Sequence, residues 1–305
     1  MVLGCFRIKI LSCAVLLSAT IGSVNGDWLA QDQCSETCSE SCDKIIFGAD
    51  LLVWRPYERG LSHCAFNDIT NTVLADGTVL TVLEDTGHSA NFKWNPGFRV
   101  GAGYQFGNSS WKYGLIWTHF DSKSHSGDEI KIKWNLHFDT VDGLAGYTCS
   151  LNDSFFLTAF GGVRVARIDQ SLHLDTPLLT FFNHDKEEFC GAGPLVGLEA
   201  KYTMGCNFSL YANMAVSWLY GRYHVHFSDF NLFASGSTLS NQKKNFNSNQ
   251  YVTDAGLGIQ WIYPIFTGNL FVRLGLEHHQ YFDYNYLENG DLSLSGGILS
   301  LGLEF

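Results

Sequence analysis

The chain has 305 residues, 46% of them hydrophobic and 14% aromatic, with 31 glycines, 5 prolines and a formal net charge of -11. So many aromatics exclude a disordered chain, and the acidic balance excludes nucleic acid as a partner, because phosphate backbones are bound by basic patches. No segment after residue 26 offers 18 consecutive apolar residues, which excludes a spanning helix.

In chain order, residues 1–26 carry Arg7 and Lys9, an apolar run from Ile10 to Ile21 and small residues at Val24 and Gly26. This reads as an export signal cut before Asp27, too short for a membrane anchor. A lipid-modified Cys13 is the minor alternative, disfavoured because the apolar run would then follow the modified residue. Residues 27–43 form a Cys-rich segment, "CSETCSESC", expected on the periplasmic side.

Ten period-two segments follow, near residues 44–55, 92–106, 111–121, 129–148, 154–172, 187–203, 207–226, 249–262, 269–283 and 292–305. Every second connection is short, as in "GNSS", "SLND" and "MGC"; the others are longer, as around "FNLFASGSTLSNQKKNFN". Strands of ten or more residues exceed the five or six of a sandwich, so the expected fold is all-β, a transmembrane antiparallel barrel over residues 44–305. The count is about 10 strands, or 12 if residues 71–85 add a hairpin around Asp76 and Gly77. The final stripe of Leu299, Leu301, Leu303 and Phe305 is expected to face lipid, with closure against the first strand removing an exposed edge. Trp54, Trp94, Trp111, Trp134, Trp218 and Trp261 near strand ends are expected in the two interfacial girdles.

Four stretches narrow this further: "GADLLVWRPYERGL" at 48–61, "WNPGFRVGAGYQF" at 94–106, "WKYGLIWTHF" at 111–120 and "FLTAFGGVRVARIDQ" at 156–170. In order and spacing they resemble the pore-forming outer membrane proteins related to the Legionella major outer membrane protein, a family also found in chlamydia-like bacteria. The resemblance implies a barrel in the bacterial outer membrane with pore activity. Its motifs are structural, and it brings no catalytic residues.

Two of the nine cysteines, Cys5 and Cys13, leave with the signal, and the seven that remain are an odd number. In an oxidising compartment one thiol is left over, so Cys34, Cys38, Cys42 and Cys64 are the disulfide candidates, with envelope proteins as partners. The resemblance adds to this, since chlamydia-type envelopes cross-link their outer membrane proteins. Metal ligation by Cys34, Cys38 and Cys42 is disfavoured, because the spacing is not C-x-x-C and no histidine is near. His224 and His226 share a strand face without a third ligand, and His278 and His279 point to opposite faces. His119 with Asp121 is the pair a rim enzyme would use, but any chain with eleven histidines offers such pairs. No cofactor, no metal and no enzymatic activity are expected.

Strand parity puts Arg99, Lys131, Lys133, Arg164 and Arg273 on the polar face, with Asp50, Glu199, Asp254 and Glu277. A charge facing lipid at mid-membrane costs about 2–4 kcal/mol for Arg or Lys, so these residues are expected to line the lumen. The function expected is a narrow water-filled channel for passive diffusion of small solutes or ions. The alternative is a structural, disulfide-cross-linked envelope barrel without an open pore, with a rim enzyme or adhesin third. The partners expected are membrane lipid, envelope disulfide partners and copies of the chain.

Overall fold

The computed structural model describes residues 43–58, 64–73, 79–88, 92–107, 109–126, 131–176, 181–233, 236–265, 268–285 and 290–305. The signal and Cys-rich segments therefore lie outside the described residues, as do Cys34, Cys38 and Cys42. Among the described residues there is no helix. Ten strands close a barrel: β1 (Lys44–Glu58), β4 (Asn95–Gln105), β5 (Trp111–Ser126), β6 (Lys131–Ser150), β7 (Phe155–Thr176), β8 (Phe181–Gly205), β9 (Phe208–Phe233), β10 (Gly236–Ile265), β11 (Gly268–Asn285) and β12 (Gly290–Glu304). The hairpin weighed as two extra strands exists, as β2 (Cys64–Val73) and β3 (Val79–His88), but it forms a separate two-stranded sheet. Cys64 begins β2.

Closure is antiparallel. β12 pairs with β1 from Ile46 opposite Glu304 to Glu58 opposite Leu292, and β1 meets β4 at Lys44–Gln105 and Ile45–Tyr104. Phe305 completes the ring by exchanging backbone hydrogen bonds of 3.0 Å with Ile45 in both directions. The β4–β5, β6–β7 and β8–β9 connections, read as short from the sequence, lie at the end where the chain enters and leaves the barrel. Cys206 and Asn207 join β8 to β9, both at positive φ, as a right-twisted two-residue hairpin requires.

Alternation divides each strand into a lumen face and an outer face. On the outer face of β1 stand Ile45, Phe47, Ala49, Leu51 and Val53 before the first charge, Arg55; β7 runs from Phe155 to Val165 before Arg167. β9 runs from Phe208 to Tyr220 before Arg222. The outer face of β12, with Leu299, Leu301 and Phe305 exposed, carries no charge from Ser293 onward. On β1, β7 and β9 this uncharged belt is 9 to 13 residues long, close to the 9–11 residues that a tilted strand needs to cross a bilayer core. Trp94, Trp111, Trp218 and Trp261 are exposed on it, as expected of girdle residues. Trp54 and Trp134 are not; both are fully buried in the lumen, sharing the parity of Asp50 and Glu58 on β1 and of Thr140 and Asp142 on β6.

Beyond the belt, β7 to β10 continue as paired strands where the sequence suggested loops. "FNLFASGSTLSNQKKNFN" is shared between β9 and β10, which stay in register from Phe233–Gly236 to Phe208–Trp261. Glu187 is fully buried on the lumen face of β8. Interior glycines make room for rings on the neighbouring strand. A Cβ at Gly302 would come within 2.1 Å of the Phe271 ring opposite it, and one at Gly197 within 2.3 Å of Phe160.

Candidate functional site: the charged lumen

The lumen is filled in three tiers. At the short-turn end, Ile46, Ile116, Leu144, Phe160, Leu195 and Phe271 form an apolar cluster. Beside it Lys44 reaches Glu304 at 2.9 Å, and Arg273 donates from Nε to Gln260 at 2.9 Å while lying 5.2 Å from the Phe271 ring centre. Glu199, Lys201 and Lys112 are buried at this level.

The middle tier is a continuous chain of ion pairs. Arg164 on β7 grips Asp142 on β6 with two bonds of 2.8 Å and extends Nη1 across the lumen to Asp254 on β10 at 2.6 Å. Asp254 meets His279 Nδ1 on β11 at 2.7 Å, and His279 Nε2 lies 3.6 Å from Glu277. Glu277 accepts from Trp54 Nε1 at 2.8 Å and from Arg99 on β4 at 3.2 and 3.3 Å. Arg99 turns the same Nη1 to Asp50 on β1 at 3.3 Å, and its Nε donates to Thr118 at 3.0 Å. In the ring of strands, Arg164 and Asp254 are three places apart, and so are Arg99 and Glu277. Both arginines therefore span the interior instead of coating one wall. None of these seven charged or ionisable residues is more than 6% exposed. The cavity among them, lined by Trp54, Arg99, Thr118, Phe138, Thr140, Asp142, Arg164, His279 and Tyr281, has room for about one water molecule.

The upper tier is an aromatic core of Trp134, Phe120, Phe138, Phe189, Tyr223, Tyr281 and Tyr284. A deep acid at this level, Glu58, accepts from Trp134 Nε1 at 3.0 Å and from Gln170 Nε2 at 2.6 Å. Tyr284 on β11 donates to the Ile168 carbonyl on β7 at 3.2 Å, again across the lumen.

Of the residues expected to line the lumen, Arg99, Arg164, Arg273, Glu199, Asp254 and Glu277 are buried inside it, as is Asp50. Lys133 is corrected: it is exposed on the outer face of β6, whose even-numbered residues Trp134 to Leu144 point inward. It stands beyond the apolar belt, where an outward charge meets water and the lipid penalty does not apply. Lys131, placed on β6 opposite Asp175, carries no described side chain. The sequence reading missed Asp142, His279 and Glu58; His279 shares parity with Arg273 and Glu277, and Glu58 with Asp50, whereas Asp142 lies on the face of β6 opposite to Lys133. His278 is exposed and His279 buried, as adjacent strand residues must be. His224 and His226 bond Asn245 and Asn241 at 2.8 Å. Among the described residues Cys149, Cys190 and Cys206 form no disulfide.

Residues 37–297 match the family model described as Legionella pneumophila major outer membrane protein precursor. The chain belongs to this family. It is accordingly a protein of the bacterial outer membrane, and its ten strands are the membrane-crossing elements. No curated protein sequence matches it. Solved structures of similar fold include the outer membrane protease OmpT from Escherichia coli, at 13% identity and a TM-score of 0.44, covering 88% of this chain and 99% of that one. A FadL homologue from Pseudomonas aeruginosa follows at 8% identity and a TM-score of 0.33, covering 86% and 90%. The toluene transporter TodX from P. putida shares 10% identity at a TM-score of 0.29, covering 86% and 89%. The expectation that the chain is not an enzyme is corrected by this set: it includes a protease beside transporters, and neither kind of neighbour assigns this chain an activity.

Proposed function

We propose that this protein is a closed outer-membrane barrel with a structural role in the envelope, displaying a strand extension on the side opposite its short turns. The observation that carries the reading is the ion-pair chain from Asp142 to Asp50, whose two arginines cross the interior and leave room for about one water molecule. Barrels of about eight strands are just wide enough for side chains to fill, and ten strands with two arginines, Trp54, Phe138 and Tyr281 around one small cavity remain in that regime. The narrow water-filled channel expected from the sequence is opposed by the same observation, because a hydrated ion cannot pass without breaking Arg99–Glu277 and Arg164–Asp254 together. Buried charges need partners or water, and here partners supply the compensation. Liposome swelling tests the proposal: vesicles holding the refolded protein should swell in isotonic arabinose no faster than protein-free vesicles. Swelling that rises with protein content would overturn it.

A further inference from the structure

Just past the apolar belt, on the outer wall, β5 and β6 set four side chains face to face. His119 is in register with Asp139, and Asp121 with His137, and all four point outward. His119 Nδ1 lies 2.9 Å from Asp139 Oδ1 and its Nε2 3.4 Å from Asp121 Oδ2. His137 Nδ1 lies 2.6 Å from Asp121 Oδ1 and its Nε2 2.9 Å from Asp139 Oδ2. Each imidazole thus turns both nitrogens to carboxylates, and each carboxylate divides its oxygens between two rings. One ligand atom each from His119, Asp121 and His137 falls within 4.8 Å of the others. The square is held from outside: Trp117 Nε1 donates to Asp139 Oδ1 at 3.1 Å, and the Phe98 ring packs 5.1 Å from the His119 ring.

We propose that His119, His137, Asp121 and Asp139 form a binding site for one divalent transition-metal ion of the zinc type on the outer face of the barrel. Two imidazoles and two carboxylates are the borderline donor set that suits zinc, copper or nickel, whereas magnesium and calcium take oxygen ligands alone. The two carboxylates cancel the charge of the ion, which suits a position at the edge of lipid. Tetrahedral coordination at about 2.0–2.1 Å puts neighbouring ligand atoms about 3.3 Å apart. Of the present nitrogen-to-oxygen spacings, those of 2.6, 2.9 and 2.9 Å are shorter and the one of 3.4 Å is already about that length, differences that rotation of half-exposed side chains absorbs. His279 in the lumen also turns both nitrogens to carboxylates; what this cluster adds is a second imidazole on the same two carboxylates, which brings four donors together. The indole on Asp139 is the outer hydrogen bond that usually orients a liganding carboxylate.

The test is titration of the refolded full-length protein with zinc chloride by calorimetry, alongside His119→Ala, His137→Ala and the milder His137→Gln. Heat-modifiable gel mobility confirms that each variant is a barrel, and His137→Gln, altering a side chain about two-fifths exposed, carries the test if an alanine variant does not fold. Wild type should show a saturable zinc site that each variant weakens at least tenfold. Because cysteines and other histidines also bind zinc, cobalt(II) absorption is the second readout: visible bands of a nitrogen and oxygen site, lost in His137→Gln. No saturable zinc uptake by wild type, uptake unchanged in all folded variants, or cobalt giving only a sulfur charge-transfer band would each overturn the proposal.

Discussion

Arg164 shows what the lumen asks of one residue. Among the described residues it is the cation in direct contact with Asp142, and with His279 it holds Asp254, so Arg164→Met leaves buried carboxylates uncompensated. Removing one partner of a buried pair costs about 3–5 kcal/mol, and that loss is expected in guanidinium unfolding of the refolded barrel. Arg167→Met, three residues on, removes an exposed pair with Asp169 and is expected to change stability by less than about 1 kcal/mol. Equal effects would show that burial does not set the value of these charges. A second residue-scale prediction concerns His173 and His184, on the outer face beyond the belt with Nδ1 atoms 2.9 Å apart. Burial lowers the pKa of both below the ordinary value, helped by Lys133 at His173 and by His173 itself at His184. A lowered histidine pKa means the unfolded chain takes the proton first. Their contribution is therefore full above about pH 6.5 and lost as pH falls below it. Limited proteolysis should cut the β7–β8 extension faster at pH 5 than at pH 7.5, and His173→Phe should reduce that difference.

At the scale of the element, β12 is where sequence and structure meet most closely. Leu299, Leu301 and Phe305 are exposed on the outer face, while Ser300 and Glu304 are buried inward. Deleting Phe305 removes both hydrogen bonds to Ile45 at the closing seam, so the fraction of heat-modifiable barrel should fall. Gly302→Leu should do the same from within by colliding with Phe271. Normal assembly of both variants would remove this account of closure. The strands were legible where the belt forces a contrast between faces: Leu274 and Leu276 outward against Arg273 and Glu277 inward is a pattern that lipid imposes. Past the belt that contrast disappears. The "SNQKKNFN" stretch of β10 is polar on both faces because both can meet water, so it reads as a loop although it is paired strand. Lys133 was misassigned for the same reason. Trp54 was misread because β1 is apolar on both faces at Leu51, Leu52, Val53 and Trp54, and only its shared parity with Asp50 and Glu58 tells them apart. The Asp142–Arg164–Asp254 triad lies across three strands that are not all neighbours, and no spacing within one strand reveals it.

For the whole molecule, the proposed closure of the lumen rests on the tiers together. The charged tier lies between the aromatic core of Trp134, Phe189 and Tyr284 and the apolar cluster around Phe271, so a solute entering from either end meets a packed interior. On this proposal the acidic excess of the chain makes no cation path at mid-height, where Asp50, Asp142, Asp254 and Glu277 are engaged by Arg99, Arg164 and His279. Current through a planar lipid bilayer holding the purified, heat-modifiable protein is the most direct measurement of this claim. In 1 M KCl at 100 mV, wild type should show no conductance steps above the bare membrane, and Arg99→Ala with Arg164→Ala, which removes both bridges, should show them in the fraction that still folds. Stable ohmic steps from wild type, unchanged in the double variant, would contradict it.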